Sequence, residues 1–442
     1  MSSKGKSSAV TGGGAALVPK QRFPEFLGAG PWESVSLGSL VSISTKKVGD
    51  KTCVPMSITS GVGLVSQMEK FGRIIAGDSY KNYLQLKKND FAYNKSATKE
   101  YPEGFIALYT GEELAAVPNS IFTCFRIKGE AVSPKYLNYL FLGNLHGRWL
   151  RKFIEVGARA HGSLSINNSD LLALSVPVPP GPNSLKEQQK IADCLASADA
   201  LIEAQGRKVE ALKAHKKGLM QQLFPQEGET KPRLRFPEFD GTGKWEECEF
   251  PNVIFFQEGP GIMAVDFHDH GVPLVRLSGL SGQSVTLEGC NYLDPAKVLK
   301  KWEHFRLEVG DIVVSCSATL GRPAIVDDAA AGAVFYTGLI RFRPKSRRLD
   351  AGYLEVFLGS PSFSWQAEAA AVGGGIRHFG PTHLRGMKAP LPPSVDEQQR
   401  IADCLTSLDV LITAETQKLD TLKTHKKGLM QQLFPQIGET DV

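Results

Sequence analysis

Long apolar runs are missing from this 442-residue chain. No stretch approaches the roughly 20 consecutive apolar residues that a membrane helix needs, so the reading is of a chain without a membrane span. Cysteine is sparse and unpatterned. There are seven, an odd number, and no C-x-x-C occurs. That argues against a disulfide framework or a zinc ribbon, and it points to a reducing cytoplasm. Ser2 to Gly14 is rich in Ser, Gly and Lys but lacks the apolar core of a signal peptide, so residues 1–20 are expected to form a flexible tail.

Neither sign of charge dominates. The net charge is +5, which suits a phosphate-bearing partner only weakly. Motifs that carry chemistry are absent as well. No G-x-x-x-x-G-K-[ST] occurs, and the nearest string, Gly241 to Lys244, runs into Trp245 without the required spacing. No strand-bounded G-x-G-x-x-G marks a dinucleotide site. Neither [DN]-P-P-[YF], found in amino-methyltransferases, nor H-E-x-x-H is present. His268-Asp269-His270 has no third ligand at useful spacing and reads as a polar loop tip, so no metal is expected. The chain is read as a non-catalyst.

What is there is one long internal repeat. From Glu187 the chain reads EQQKIADCLASADALIEAQGRKVEALKAHKKGLMQQLFPQEGET; from Glu397 it reads EQQRIADCLTSLDVLITAETQKLDTLKTHKKGLMQQLFPQIGET. Roughly two-thirds of these positions are identical. RFPEF occurs at Arg22 to Phe26 and at Arg235 to Phe239, each followed by a Trp-Glu pair, and VPVPP at Val176 is matched by APLPP at Ala389. The bodies between, about 34–176 and 247–389, hardly resemble each other. One half-scaffold was kept twice and filled with two different contents. The second copy stops where RFPEF would follow, so the repeat is cyclic in design, and Thr440 is expected near Arg22.

In the shared segment apolar residues alternate at steps of four and three. Ile191, Leu195, Ile202, Val209 and Leu212 form one seam, and Ile401, Leu405, Ile412, Leu419 and Leu422 the other. This is a coiled-coil heptad pattern. Gln205 and Lys216, matched by Glu415 and Lys426, interrupt it, as polar residues that fix register do. Pro225 and Pro435 end helices of about 37 residues, about 55 Å long. Two equal helices separated by a compact domain are expected to pair antiparallel and to hold the bodies apart like a ruler.

Each body reads as an α+β domain of short β-branched and aromatic strands, with helical segments at Ser133–Phe153 and Leu349–Ala369. Two pairs of loops correspond. Lys87 to Ser96 parallels Leu307 to Ser317, each an Asp-initiated strand ending in small polar residues. Glu155 to Leu164 parallels Ala371 to Gly380, each Gly-rich with one Arg and one His. Gly admits close backbone approach, and Arg and His donate to bases or phosphates. The DNA-binding candidates chosen on this ground are Asn94, Lys95, Ser96, Arg159 and His161, and Ser315, Ser317, Arg322, Arg377 and His378.

The paired EQQ[KR]IADCL…HKKGLMQQLFPQ segments, RFPEF…W-E segments and P-x-P-P hinges resemble the specificity subunits of type I restriction-modification systems. The resemblance implies an α+β fold of two target-recognition domains joined by two long antiparallel coiled-coil helices with a pseudo-twofold internal repeat. The expected layout is 21–180 for the first target-recognition domain, 185–226 for the first helix, 227–240 for a linker, 241–393 for the second domain and 395–436 for the second helix. It implies a subunit that reads a bipartite double-stranded DNA site in defence against foreign DNA. Two methyltransferase subunits would bind it, and two ATP-driven restriction subunits can join. S-adenosylmethionine, ATP and Mg would sit on those partners, with no cofactor in this chain. On the residues alone, a protein-binding adaptor and a self-contained nuclease stay open.

Overall fold

A computed structural model describes residues 16–59, 61–154, 162, 164–226, 228–316, 321–370 and 379–435. The chain forms two compact units, Met1–Ala204 with Leu419–Val442, and Gln205–Lys418. Each holds one body together with a stretch of both long helices.

The first unit contains, in order, β1 (Glu33–Ser36), α1 (Leu37–Leu40), β2 (Val41–Ser44), β3 (Val54–Thr59), β4 (Gly63–Ser66) and α2 (Gln67–Phe71). Then come β5 (Leu84–Leu86), β6 (Phe91–Asn94), β7 (Phe105–Leu108), β8 (Ala115–Val117) and β9 (Phe122–Ile127). The helices α3 (Pro134–Leu142), α4 (Leu145–Leu150) and α5 (Asn168–Leu172) precede β10 (Ser175–Val178). The long helix α6 (Ser184–Leu223) starts here and runs on into the second unit. The segment expected to be helical over Ser133–Phe153 is divided at Asn144, which takes φ +60°, a left-handed conformation that Asn tolerates better than most residues.

The second unit continues with β11 (Glu246–Glu249), α7 (Phe250–Val253), β12 (Ile254–Glu258), β13 (Val272–Val275), β14 (Asn291–Leu293) and α8 (Pro295–Lys297). It adds β15 (Ile312–Ser315), β16 (Ala324–Ile325), β17 (Val334–Phe335), β18 (Leu339–Pro344), α9 (Ala351–Leu358), α10 (Pro361–Ala370), α11 (Pro381–Leu384) and β19 (Lys388–Leu391). The long helix α12 (Val395–Leu433) closes the series; Ser394 caps it by accepting from the Glu397 N–H at 3.2 Å.

Although their sequences differ, the bodies share a strand order. The main sheet runs β2-β9-β6-β7 in the first and β12-β18-β15-β16 in the second. A smaller sheet has β3 antiparallel to β4 and parallel to β8; its counterpart has β13 antiparallel to β14 and parallel to β17. The pair β1-β10 is matched by β11-β19. Each main sheet buries aromatic residues against the helix hairpin that follows it: Phe91 and Phe125 stack 5.2 Å apart with Phe141 edge-on, and Phe342 meets Phe363 edge-on at 6.3 Å.

The long helices pair within each unit. In the second, Gln205 Nε2 donates to Glu415 Oε2 at 2.6 Å and Lys216 Nζ to Asp409 Oδ1 at 2.6 Å. As α6 advances its partner numbers fall, so the stretches run antiparallel. Gln205 and Glu415 are equivalent positions of the repeat, and antiparallel pairing of like helices requires one such meeting of equivalents. In the first unit Lys426 Nζ donates to Asp199 Oδ1 at 2.5 Å, the counterpart of Lys216 with Asp409. The polar interruptions of the seam thus meet in complementary pairs, which fixes one register.

Candidate nucleic-acid interface

The duplicated motifs first build a clamp that holds each body on its helix. Arg22 Nε and Nη2 each donate to the Glu187 carboxylate at 2.7 Å, and Nη1 donates to the Ala29 and Gly30 carbonyls. Arg235 repeats the fork on Glu397 at 2.8 and 2.7 Å, and Trp245 Nε1 adds a donor at 3.3 Å. The next residue in each helix grips the body. Gln188 Oε1 accepts from the Ser133 N–H and Gln398 Oε1 from the Asp350 N–H, both at 2.8 Å, just before the helix hairpin.

Tyr136 and Tyr353 donate to the Pro177 and Pro390 carbonyls. Their hydroxyls are held protonated by burial first and by the neighbouring Glu187 or Glu397 second. Each ring lies 5.6 Å from the Phe of an LFPQ segment, Phe434 and Phe224. The EQQ, RFPEF and LFPQ motifs are therefore one structural device used twice. The segment before the first RFPEF and the end of α12 meet as their counterparts in the second unit do. The Gln21 N–H donates to the Gln432 carbonyl at 3.0 Å, as the Leu234 N–H does to Gln222. Thr440 lies outside the described residues.

On this frame the first body brings its two selected loops together. The Lys95 N–H donates to the Ile121 carbonyl at 2.9 Å, the Leu164 N–H donates to the Lys95 carbonyl at 2.7 Å, and the Ala97 N–H donates to the Gly162 carbonyl at 2.5 Å. Gly162 has φ +64°, and a Cβ there would come within 3.1 Å of the Ala97 carbonyl oxygen. Glycine is thus needed where the loops cross. Asn94 is buried and its Oδ1 accepts from the Ser96 N–H at 3.0 Å, so its amide shapes the turn; Lys95 and Ser96 are half-buried. Arg159 and His161 lie outside the described residues.

In the second body β15 ends at buried Ser315, whose carbonyl accepts from the Gly321 N–H at 3.1 Å, and Arg322 beyond it is exposed. Ser317, Arg377 and His378 lie outside the described residues. The Cys316 thiol is pushed up to about 12, by burial first and the Glu258 charge second, so it stays protonated near neutral pH. His268 sits in a backbone exchange with Tyr292, and among the described residues no group of three His, Cys, Asp or Glu is placed to hold a metal.

Two features escaped the sequence reading. The Asp that opens each central strand braces the sheet. Asp90 accepts from Arg126 Nε at 2.6 Å and caps its own turn through the Lys87 N–H at 2.8 Å. Asp311 does the same with Arg343 and the Glu308 N–H. Only the shared sheet order shows that these charges correspond. Second, the turns and short helices that flank the strands of the smaller sheets expose apolar residues: Val62, Met68, Phe71, Ile74 and Ile75 in the first body, Met263, Val265, Leu277 and Leu299 in the second. In the first they alternate with Lys70 and Arg73, a mixture that suits apolar insertion beside phosphates. The sequence signal was a Gly-bounded apolar stretch, Gly61 to Ile75, too polar in its middle for a core strand.

A family described as the type I restriction modification DNA specificity domain matches residues 292–424. The type I restriction enzyme MjaVIII specificity subunit of Methanocaldococcus jannaschii is 26% identical over 291 residues, 64% of this chain and 66% of that protein. The putative type I restriction enzyme MjaX specificity subunit of the same organism is 25% identical over 340 residues, 75% of this chain and 74% of that one. Among solved structures, the S subunit of a type I restriction-modification system from M. genitalium shares the fold. It has a TM-score of 0.53 and 14% identity, over 96% of this chain and all of that one.

Proposed function

We infer, from a chain homologous to the specificity subunits of type I restriction-modification systems, that this protein is the sequence-reading, non-catalytic subunit of such a complex. Each body reads one half of a bipartite site in double-stranded DNA, and the paired helices set the spacing between the halves. Methyltransferase subunits dock on this frame and bring S-adenosylmethionine; ATP-driven restriction subunits, with Mg, join for cleavage. The base to be methylated must leave the stack, so the assembled complex distorts its DNA.

The observation that carries the reading is one frame holding two unlike contents. The clamp residues and their hydrogen bonds are duplicated almost atom for atom, and the sheet order is duplicated, yet the loops at the ends of β6 and β15 differ. A frame conserved around divergent loops suits a reader of two different half-sites. Lys95, Ser96, Arg159 and His161 in the first body, and Ser317, Arg322, Arg377 and His378 in the second, are the proposed contacts; buried Asn94 and Ser315 shape the loops that carry them.

The test is mapping of N6-methyladenine across the host genome with and without this gene. One bipartite motif should vanish on deletion. Exchanging residues 34–176 for another such body should then change one half-site and leave the other intact. If every methylated motif survives deletion in an expressing host, the reading fails.

A further inference from the structure

A groove of about 830 Å³ lies in the first unit, between the tip of the β3–β4 hairpin, the α3–α4 hairpin and the last turns of α12. Four cations line it: Arg148 from α4, and Lys423, Lys426 and Lys427 from α12. Asp199 is the only carboxylate among the described lining residues, and it is already occupied. Lys426 donates to one of its oxygens at 2.5 Å and the Tyr139 hydroxyl to the other at 2.8 Å. Among the described residues Lys423 pairs with Asp420 of its own helix, at 3.4 Å, with both side chains more than half exposed. Arg148 has no ion pair among the described residues, and partial desolvation draws its pKa below the ordinary guanidinium range. A desolvated cation without a partner is costly unless a ligand supplies the counter-charge. Arg148 and Lys427, with no ion pair among the described residues, and the exposed Lys423, paired only weakly within its own helix, therefore converge on an open groove from two elements.

We propose that this groove seats the phosphodiester backbone of duplex DNA beside the half-site read by the first body, with Arg148, Lys423 and Lys427 binding the phosphates. Lys423 and Lys427 lie one helical turn apart on one face of α12, and so present a row of charge along the groove. Glycines at both ends of the hairpin turn, Gly61 with φ +76° and Gly63 with φ +113°, keep that rim low. The second unit keeps the matching lysines, Lys213 and Lys217, but its caps at Gly359 and Ser360 match Gly143 and Asn144, which puts the uncharged Ser364 where the first unit has Arg148. The grip on the backbone is thus stronger on one side of the site, and it carries no sequence information.

This rests on the DNA-reading function, and the experiment separates the two. The full chain, assembled with its methyltransferase subunits, is titrated with a duplex of arbitrary sequence between about 50 and 200 mM salt. Removing one cation from a phosphate should lower the slope of log K against log salt by about 0.9. The variant Arg148→Gln/Lys423→Gln/Lys427→Gln should therefore lower it by close to 3 units. It should weaken binding to cognate and arbitrary DNA alike and leave the methylated motif unchanged, while Arg148→Lys should keep the wild-type slope. An unchanged slope in the triple variant overturns the proposal. If that variant instead fails to assemble with its methyltransferase subunits while its unassembled chain keeps the salt slope of the unassembled wild-type chain, the groove is an acidic-protein dock, and the proposal is equally overturned. A wild-type complex without salt-dependent DNA affinity sinks this proposal and the DNA-reading function together.

Discussion

Cutting the Arg22–Glu187 fork should unlatch the first body from α6. Both side chains are buried, 7% and 2% exposed, and two charge-assisted bonds of 2.7 Å join them. In Arg22→Ala the Glu187 carboxylate stays where it is, with no counter-ion in reach of the fork. Removing one member of such a pair costs about 3–5 kcal/mol, most of it the penalty of a buried unpaired charge. For a unit of roughly 200 residues each kcal/mol moves the melting temperature by about 2–4 °C, so a fall of about 10 °C is expected. Calorimetry gives the size of the effect. Hydrogen exchange, followed peptide by peptide, should place it in residues 17–32 and the first turns of α6, and leave Arg235–Glu397 protected. The double variant Arg22→Met/Glu187→Leu removes both charges and should recover most of the stability. A single variant within about 1 kcal/mol of wild type, or a double variant no better than the single, would refute the assignment of the clamp to this buried pair.

Three further outcomes follow from particular residues. His146 is buried, its Nε2 faces the Gly104 carbonyl at 3.2 Å, its Nδ1 has no partner among the described residues, and burial draws its pKa from 6.5 down to about 4. The unfolded chain then binds this proton before the folded one does, so its contribution is complete above pH about 6.5 and is lost as pH falls towards 4, by about 3 kcal/mol; urea titrations across that range should show a shallower acid loss for His146→Leu. Gly162→Val should strain the crossing of the two recognition loops and cost about 1–3 kcal/mol locally, seen as altered recognition of one half-site with the other unaffected. A circular permutant that joins residue 435 to residue 16 through a short linker, and opens between 228 and 233, should fold and support the same methylation, because the Gln21–Gln432 junction copies the Leu234–Gln222 junction; loss of methylation from a folded permutant would contradict that equivalence.

Much of the frame could be read from the chain alone, for a physical reason. A heptad seam is a local pattern, and a duplicated segment shows where one structural solution is used twice. The helices, their polar interruptions and the cyclic order of the motifs rest on such short-range information. Of the expected seam residues, Ile191, Leu195, Val209, Ile401 and Leu405 are buried and Ile202, Leu212, Ile412, Leu419 and Leu422 half-buried, and Ile191, Leu195, Ile401 and Leu405 share core clusters with residues of the bodies. The purpose of RFPEF and EQQ was not legible, since Arg22 and Glu187 are 165 positions apart and only folding shows that they are partners.

The bodies divide in the same way. Their α+β character and the two loop pairs came from composition and turn residues, which act locally. That both bodies are one fold was decided by pairings such as Val41 with Ile127 and Ile254 with Pro344, which no periodicity announces. The tertiary structure also separated roles within the chosen loops. Asn94 turned inward because its amide bonds its own turn, and Asp90 and Asp311 became braces because an arginine from the neighbouring strand reaches each of them. Sequence by itself determined the repeated frame, where each residue's role follows from its near neighbours. Only the tertiary structure decided which charges are buried in pairs and which stay open to a ligand, because that depends on partners far away in the chain.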